Sequence, residues 1–169
     1  GIAAVNLTIM SRRMQKSIFS QQRALSDARK AIETFNSQIR MATTPLSVVD
    51  SSGNSATQGN RVLFARNGEA AGKRAIELKS VDSDMTTPGD NTLIYDPDTS
   101  VANNEIIVAR MISTTDTAGA FRYVDSRSPL QTFLRVGDPS AGTGQAAANA
   151  ATGANWQGVE INISVAPRN

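Results

Sequence analysis

The stretch Leu25-Ser-Asp-Ala28-Arg-Lys-Ala-Ile32-Glu-Thr-Phe35-Asn-Ser-Gln-Ile39 places apolar residues at steps of three, four, three and four. That spacing sets Leu25, Ala28, Ile32, Phe35 and Ile39 on one face of an α-helix. Upstream, Leu7, Met10 and Met14 start the same stripe and Ile18 continues it. Residues 2–42 contain neither glycine nor proline, the two strongest helix breakers. An unbroken helix over that span would be roughly 60 Å long, about twice the diameter of a small domain. A chain of 169 residues cannot cover all of it. The expectation is that Leu25, Ile32, Phe35 and Ile39 form the contact with the chain's own sheet. Leu7, Met10, Met14 and Ile18 are left as an assembly surface for a membrane or other protein helices.

Pro45 ends the helical pattern, and the grammar then changes to short β-branched runs separated by turn residues. Residues 62–65 and 75–81 read as a hairpin, and 92–95 as a brief strand. Residues 106–112 form an almost continuously apolar run. Residues 121–124 and 130–136 are split by Asp125-Ser-Arg-Ser-Pro129. Near the end Val159, Ile161, Ile163 and Val165 alternate with Glu160, Asn162 and Ser164, as a half-buried antiparallel strand does. The expected fold is α+β, with a long N-terminal helix over residues 1–43 packed on an antiparallel β head over 44–169.

Composition narrows function. The chain has no cysteine and no histidine, which excludes disulfides, cysteine zinc sites and His-based triads. Residues 1–42 carry seven basic side chains against Asp27 and Glu33, a net of +5, while the remainder is −3. No aromatic residues interleave the basic ones, so a solvated helix face is preferred over a nucleic-acid site. The apolar run Gly1–Met10 is too short to cross a bilayer, which takes ~20 residues, and reads as the end of a longer apolar segment.

The remaining motifs are weak. Gly142-Thr-Gly144-Gln-Ala-Ala147 matches the dinucleotide fingerprint only superficially, because no strand precedes it and no helix pattern follows. Asp82, Asp84, Asp96 and Asp98 are the candidate calcium ligands, but the spacing is not that of an EF-hand, and turn-forming aspartates explain such pairs more simply. Trp156, the single tryptophan, reads as a packing residue beside the last strand. No catalytic residue and no cofactor is assigned.

Several segments together resemble the minor pilins and pseudopilins of type IV pilus and type II secretion systems, the J-type class above all. They are the helix Ala24-Leu-Ser-Asp-Ala-Arg-Lys-Ala-Ile-Glu33 running on to Ala42, Thr92-Leu-Ile-Tyr95, Ile106-Ile-Val-Ala-Arg-Met-Ile112, Phe121-Arg-Tyr-Val-Asp125 with Pro129-Leu130, and Trp156-Gln-Gly-Val-Glu-Ile-Asn-Ile-Ser164. The family's Phe-Thr-Leu-x-Glu start has no counterpart here. The resemblance implies a pilin-like fold and a non-enzymatic subunit in the bacterial cell envelope. An N-terminal segment missing from this sequence would anchor it in the inner membrane, with the head outside the cytoplasm. Its partners would be other pilins or pseudopilins, through helix–helix packing in a filament that it joins, primes or caps. The alternative is a surface ligand-binding module or adhesin using loops 50–60 and 137–158. A His-free carboxylate enzyme is a third, remoter reading.

Overall fold

The computed structural model describes residues 4–9, 18–43, 45–80, 91–137 and 159–168. Twelve strands and one helix occupy them. In chain order these are β1 (Ala4–Ile9), α1 (Ile18–Met41), β2 (Ser47–Val49), β3 (Ser55–Ala56), β4 (Gln58–Gly59), β5 (Arg61–Phe64) and β6 (Arg74–Lys79). There follow β7 (Asn91–Asp96), β8 (Ile106–Thr114), β9 (Phe121–Arg122), β10 (Leu130–Thr132), β11 (Leu134–Val136) and β12 (Val159–Val165). Neighbouring strands run antiparallel along the path β3-β2-β5-β6-β7-β8-β11-β12-β10-β9-β4, and β1 adds to β12.

Register explains the core. Val62 pairs with Ile76, and Ile76 with Tyr95, so an apolar row crosses one face of β5, β6 and β7. The segment β10–β11 keeps a single register against β12, from Leu130 opposite Val165 to Val136 opposite Val159. Its other edge pairs first with β9 and then with β8, so β8 and β9 act as one strand interrupted by residues 115–120. Phe133 bridges the interruption. Its carbonyl accepts from Thr115 N at 3.1 Å, and its amide donates to Ala120 O at 2.8 Å. Beside it, the buried Thr132 hydroxyl oxygen accepts from Ile163 N at 2.9 Å.

The two ends of the strand path, β3 and β4, are separated in sequence only by Thr57. The sheet therefore curls into a nearly closed, barrel-like ring, with residues 55–59 joining β2 on one side to β9 on the other. Tyr123 N donates to Thr57 O at 2.8 Å, Ala120 N to Asn60 Oδ1 at 2.9 Å, and Gln58 Nε2 to Gly119 O at 3.0 Å. Here two glycines are required. A Cβ on Gly59 would overlap the Val49 carbonyl, and one on Gly119, whose φ is +137°, would meet the Gly59 backbone.

The helix α1 lies across β8, β11 and β12. It buries Ala24, Ala28, Ala31, Phe35 and Ile39, while Leu25 and Ile32 are only partly buried against the same core. The three alanines bring the helix backbone close to the sheet, and Phe35 meets Phe121 with ring centroids 5.7 Å apart. Arg40 lies in the last turn, where a cation complements the helix dipole. Beyond it Thr43 N donates to Ala65 O and Arg168 N to Ala42 O, which ties the helix end to both β5 and the C-terminal segment.

The expected fold class, one long helix packed on an antiparallel sheet in a pilin-like manner, is wrong. The described residues are mostly antiparallel β, with one short helix of 24 residues against the ring. Residues 4–9, expected in the helix, form β1, paired along all six positions with β12 from Ala4 opposite Ser164 to Ile9 opposite Val159. The physical reason lies in a competing periodicity. Val5, Leu7 and Ile9 alternate with Asn6 and Thr8, which suits a strand, and β12 offers an edge of matching alternation. Absence of helix breakers is a weak prior, and tertiary pairing overrides it.

Two stability predictions follow from this packing. Phe35→Ala should cost about 3–5 kcal/mol, as truncation of a fully buried aromatic does, and Leu25→Ala less than half of that, measured by urea unfolding. Gly119→Ala should cost at least about 2 kcal/mol, because strain and a backbone collision add. Gly53→Ala, also at positive φ but with open space around it, should cost only about 1 kcal/mol.

Candidate functional site

The outer face of α1 is the first feature whose chemistry the fold does not consume. Gln22, Ser26, Arg29, Lys30, Glu33, Ser37 and Arg40 are exposed. No ion pair involves Arg29, Lys30 or Arg40 among the described residues, although five pairs occur elsewhere. Asp27 behaves differently. Its Oδ2 accepts from the backbone amide of Arg110 at 3.0 Å, so this carboxylate ties the helix to β8.

The strongest electrostatic cluster is structural. Arg74 makes a forked contact with Glu69, with Nη2 to Oε1 at 2.6 Å and Nε to Oε2 at 2.9 Å, and donates from Nη1 to Tyr95 Oη at 2.5 Å. Glu69 Oε2 also accepts from Arg66 N, and Arg66 Nη2 reaches Gln38 Oε1 at 2.7 Å. These bonds lock the β5–β6 turn to the helix. The Arg74 hydrogen bonds foremost, and then the Arg66 amide, hold the Glu69 carboxyl down at about 2. On the outer sheet surface Glu77 behaves oppositely, because burial raises it despite Arg61 at 3.6 Å.

The candidate calcium ligands divide. Asp82 and Asp84 lie outside the described residues. Asp96 Oδ1 accepts from Asp98 N, Asp98 Oδ2 pairs with Lys73 Nζ at 2.6 Å, and Asp98 Oδ1 accepts from both Ser100 N and Ser100 Oγ. Lys73 is the main cause that lowers Asp98 to about 2. Their oxygens are thus engaged by their own turn, and no group of three or more metal-ligating side chains gathers among the described residues.

Of the expected assembly residues, Leu7 sits in β1 opposite Ile161, Ile18 opens α1, and Met10 and Met14 lie outside the described residues. Of the expected helix–sheet contacts, Phe35 and Ile39 are fully buried and Leu25 and Ile32 flank them. Loop 50–60 is not a free loop, because it contains β3 and β4 and closes the ring. Loop 137–158 lies outside the described residues beyond Gly137. Clefts open on the surface between described residues. One, of about 340 Å³, runs between Pro45–Val48, Ser55–Thr57 and Tyr123–Ser126. The buried Tyr123 hydroxyl lies by the Leu46 backbone without a well-formed hydrogen bond among the described residues; burial raises its pKa, and the Leu46 backbone opposes that in part. Another, of about 320 Å³, lies between Ser26, Asp27 and Lys30 of α1 and Ile107–Arg110 of β8.

Sequence reading missed Asp27, Asn60, Gly59 and Gly119, each of which acts on a partner at least 50 residues away or on a backbone. Comparison with known protein families, curated proteins and solved structures finds no match to this chain.

The Glu69 cluster gives a pH prediction. Its carboxyl lies lower in the folded chain than the usual value of 4.5. Its contribution is therefore complete above about pH 5 and is lost as pH falls from there toward 2. The wild-type advantage over Glu69→Gln in urea midpoint should shrink steadily across that window. A constant difference from pH 6 to pH 2.5 would show that charge at Glu69 does not matter.

Proposed function

We propose that this chain is a non-enzymatic assembly subunit of the bacterial cell envelope, of the minor pilin or pseudopilin kind that its sequence resembles. The observation that carries the reading is the division of α1 into two faces. The Ala24–Ala28–Ala31–Phe35–Ile39 line holds the head together, and the opposite face exposes Arg29, Lys30 and Arg40 with no partner among the described residues. A basic helix face on a chain whose remainder is net −3 is complementary to an acidic sibling head. Such charge matching steers association and fixes register more than it adds affinity. In this reading the head stays outside the cytoplasm and sibling subunits meet the helix side.

A second reading is a ligand-binding module. It is favoured by the cleft beside Ser55–Thr57, where the Tyr123 hydroxyl has only the Leu46 backbone beside it and no well-formed hydrogen bond among the described residues.

The test replaces the chromosomal copy in the source bacterium with Arg29→Glu plus Arg40→Glu and scores surface filaments, secreted substrate and subunit level. Filaments or secretion should fall at least tenfold while the purified variant keeps its melting temperature to within a few degrees. Wild-type assembly by the variant would reject the helix-face reading. Loss of ligand or surface adhesion with Tyr123→Phe, at unchanged filament number, would favour the second.

A further inference from the structure

We infer that Asn67, in the β5–β6 turn, is a site of spontaneous covalent modification, deamidation to aspartate and isoaspartate, and that the isoaspartate product loosens the anchor of α1. Asn67-Gly68 is the only Asn-Gly pair in the sequence. Every other asparagine that has a successor precedes a residue with a Cβ. Asn67 and Gly68 are both exposed at the tip of the turn, where chemical attack on a chain concentrates. Glu69 N donates to Arg66 O at 3.0 Å and Gly68 has φ +85°, so residues 66–69 form a type II turn with glycine at its third position.

The reaction needs only water. The Gly68 nitrogen gives its proton to solvent base and attacks Asn67 Cγ. The new C–N bond closes a cyclic imide as the Cγ–Nδ2 bond breaks, and the nitrogen leaves as ammonia with a proton from solvent. Water then opens the imide at either carbonyl. One opening gives aspartate, and the other gives isoaspartate, whose main chain runs through the former side chain. One water is consumed, one ammonia is released, and nothing is oxidised or reduced.

Attack requires the middle peptide of the turn to rotate. Glycine at 68 permits this, because it accepts either sign of φ and has no Cβ to shield its nitrogen. That peptide makes no hydrogen bond among the described residues, whereas residues 66 and 69 are joined twice, by Glu69 N to Arg66 O and by Arg66 N to Glu69 Oε2, each at 3.0 Å. The rotation therefore leaves the base of the turn closed. Other asparagines lack this freedom. Asn36 lies inside α1, where the next amide is an intrahelical donor, and Asn54 leads into Ser55 of β3, which pairs with Val49.

The consequence falls on the helix. Isoaspartate adds one carbon to the main chain between residues 66 and 69, so their two bonds no longer close together. Arg66 also donates from Nη2 to Gln38 Oε1 at 2.7 Å and bridges Ala42, so a disturbed turn is felt at the C-terminal end of α1. The inference is independent of the proposed function, since it rests on the chemistry of the turn alone.

The test follows the full chain through prolonged incubation in mildly alkaline buffer, by tryptic mass spectrometry. The peptide Asn67–Lys73 should gain one mass unit and split into two chromatographic forms, at least ten times faster than the peptides carrying Asn36, Asn54, Asn60 or Asn104. Gly68→Ala has open space for its Cβ, so it should slow conversion at least tenfold while the melting temperature stays within a few degrees. The purified isoaspartate form should exchange its Glu69 amide hydrogen faster than Asn67→Asp, which carries the same charge on an unaltered main chain. Conversion no faster than at Asn54, an unchanged rate in Gly68→Ala, or equal Glu69 exchange in the isoaspartate form and Asn67→Asp would each overturn the inference. If Gly68→Ala failed to fold, Asn67→Gln should remove the mass gain from this peptide, and its persistence at the wild-type rate would count equally against the site.

Discussion

The contact on which the rest of the structure depends is the backbone approach of Gly59 to Gly119. Strands 60 residues apart in sequence are brought together there, and no side chain fits between them. Around it Thr57, Gln58 and Asn60 each make a hydrogen bond to residues 119–123. Closing a loop of that length costs several kcal/mol of chain entropy, a cost that rises only slowly with length. A few well-formed, buried backbone bonds and the apolar surface that closure seals are enough to offset it.

Closure also positions the helix. Phe121 lies in β9, the strand that pairs with Gly59, and its ring meets Phe35 on α1. The same helix reaches β8 through Asp27 and the end of β5 through Gln38 and Thr43. The helix is thus held at three places by strands that are themselves placed by the closed ring. This makes its buried face a structural requirement and leaves its basic outer face exposed.

Much of the strand inventory was legible. The alternating run ending at Val165 appears as Val159–Val165, and the 62–65, 75–81, 92–95 and 106–112 segments overlap most of β5, β6, β7 and β8. The architecture was not legible, for two reasons. Val5-Asn-Leu-Thr-Ile9 carries a period of two that also fits, at Leu7, a period of 3.6, and only the free edge of β12 decides between them. Likewise, the buried helix face is centred on Ala24, Ala28, Ala31, Phe35 and Ile39, and the low hydrophobicity of Ala24 and Ala31 hid them behind Leu25 and Ile32. Ring closure rests on glycine backbones and on an asparagine side chain, and no one-dimensional pattern announces a contact between residues 60 and 120. The candidate sites fared similarly. The basic charge of the N-terminal third is visible in composition, whereas the lack of an ion pair at Arg29, Lys30 and Arg40 among the described residues is a property of the fold.

Native-state hydrogen exchange tests the closure most directly. The amides of Ala120, Tyr123 and Phe133 donate across the ring. If closure organises the fold, they should exchange only through global unfolding, at the free energy found for Val62 and Leu93 in the core strands. Exchange of Ala120 and Tyr123 at loop-like rates while Val62 and Leu93 stay protected would contradict the account, because the sheet would then be stable without being closed.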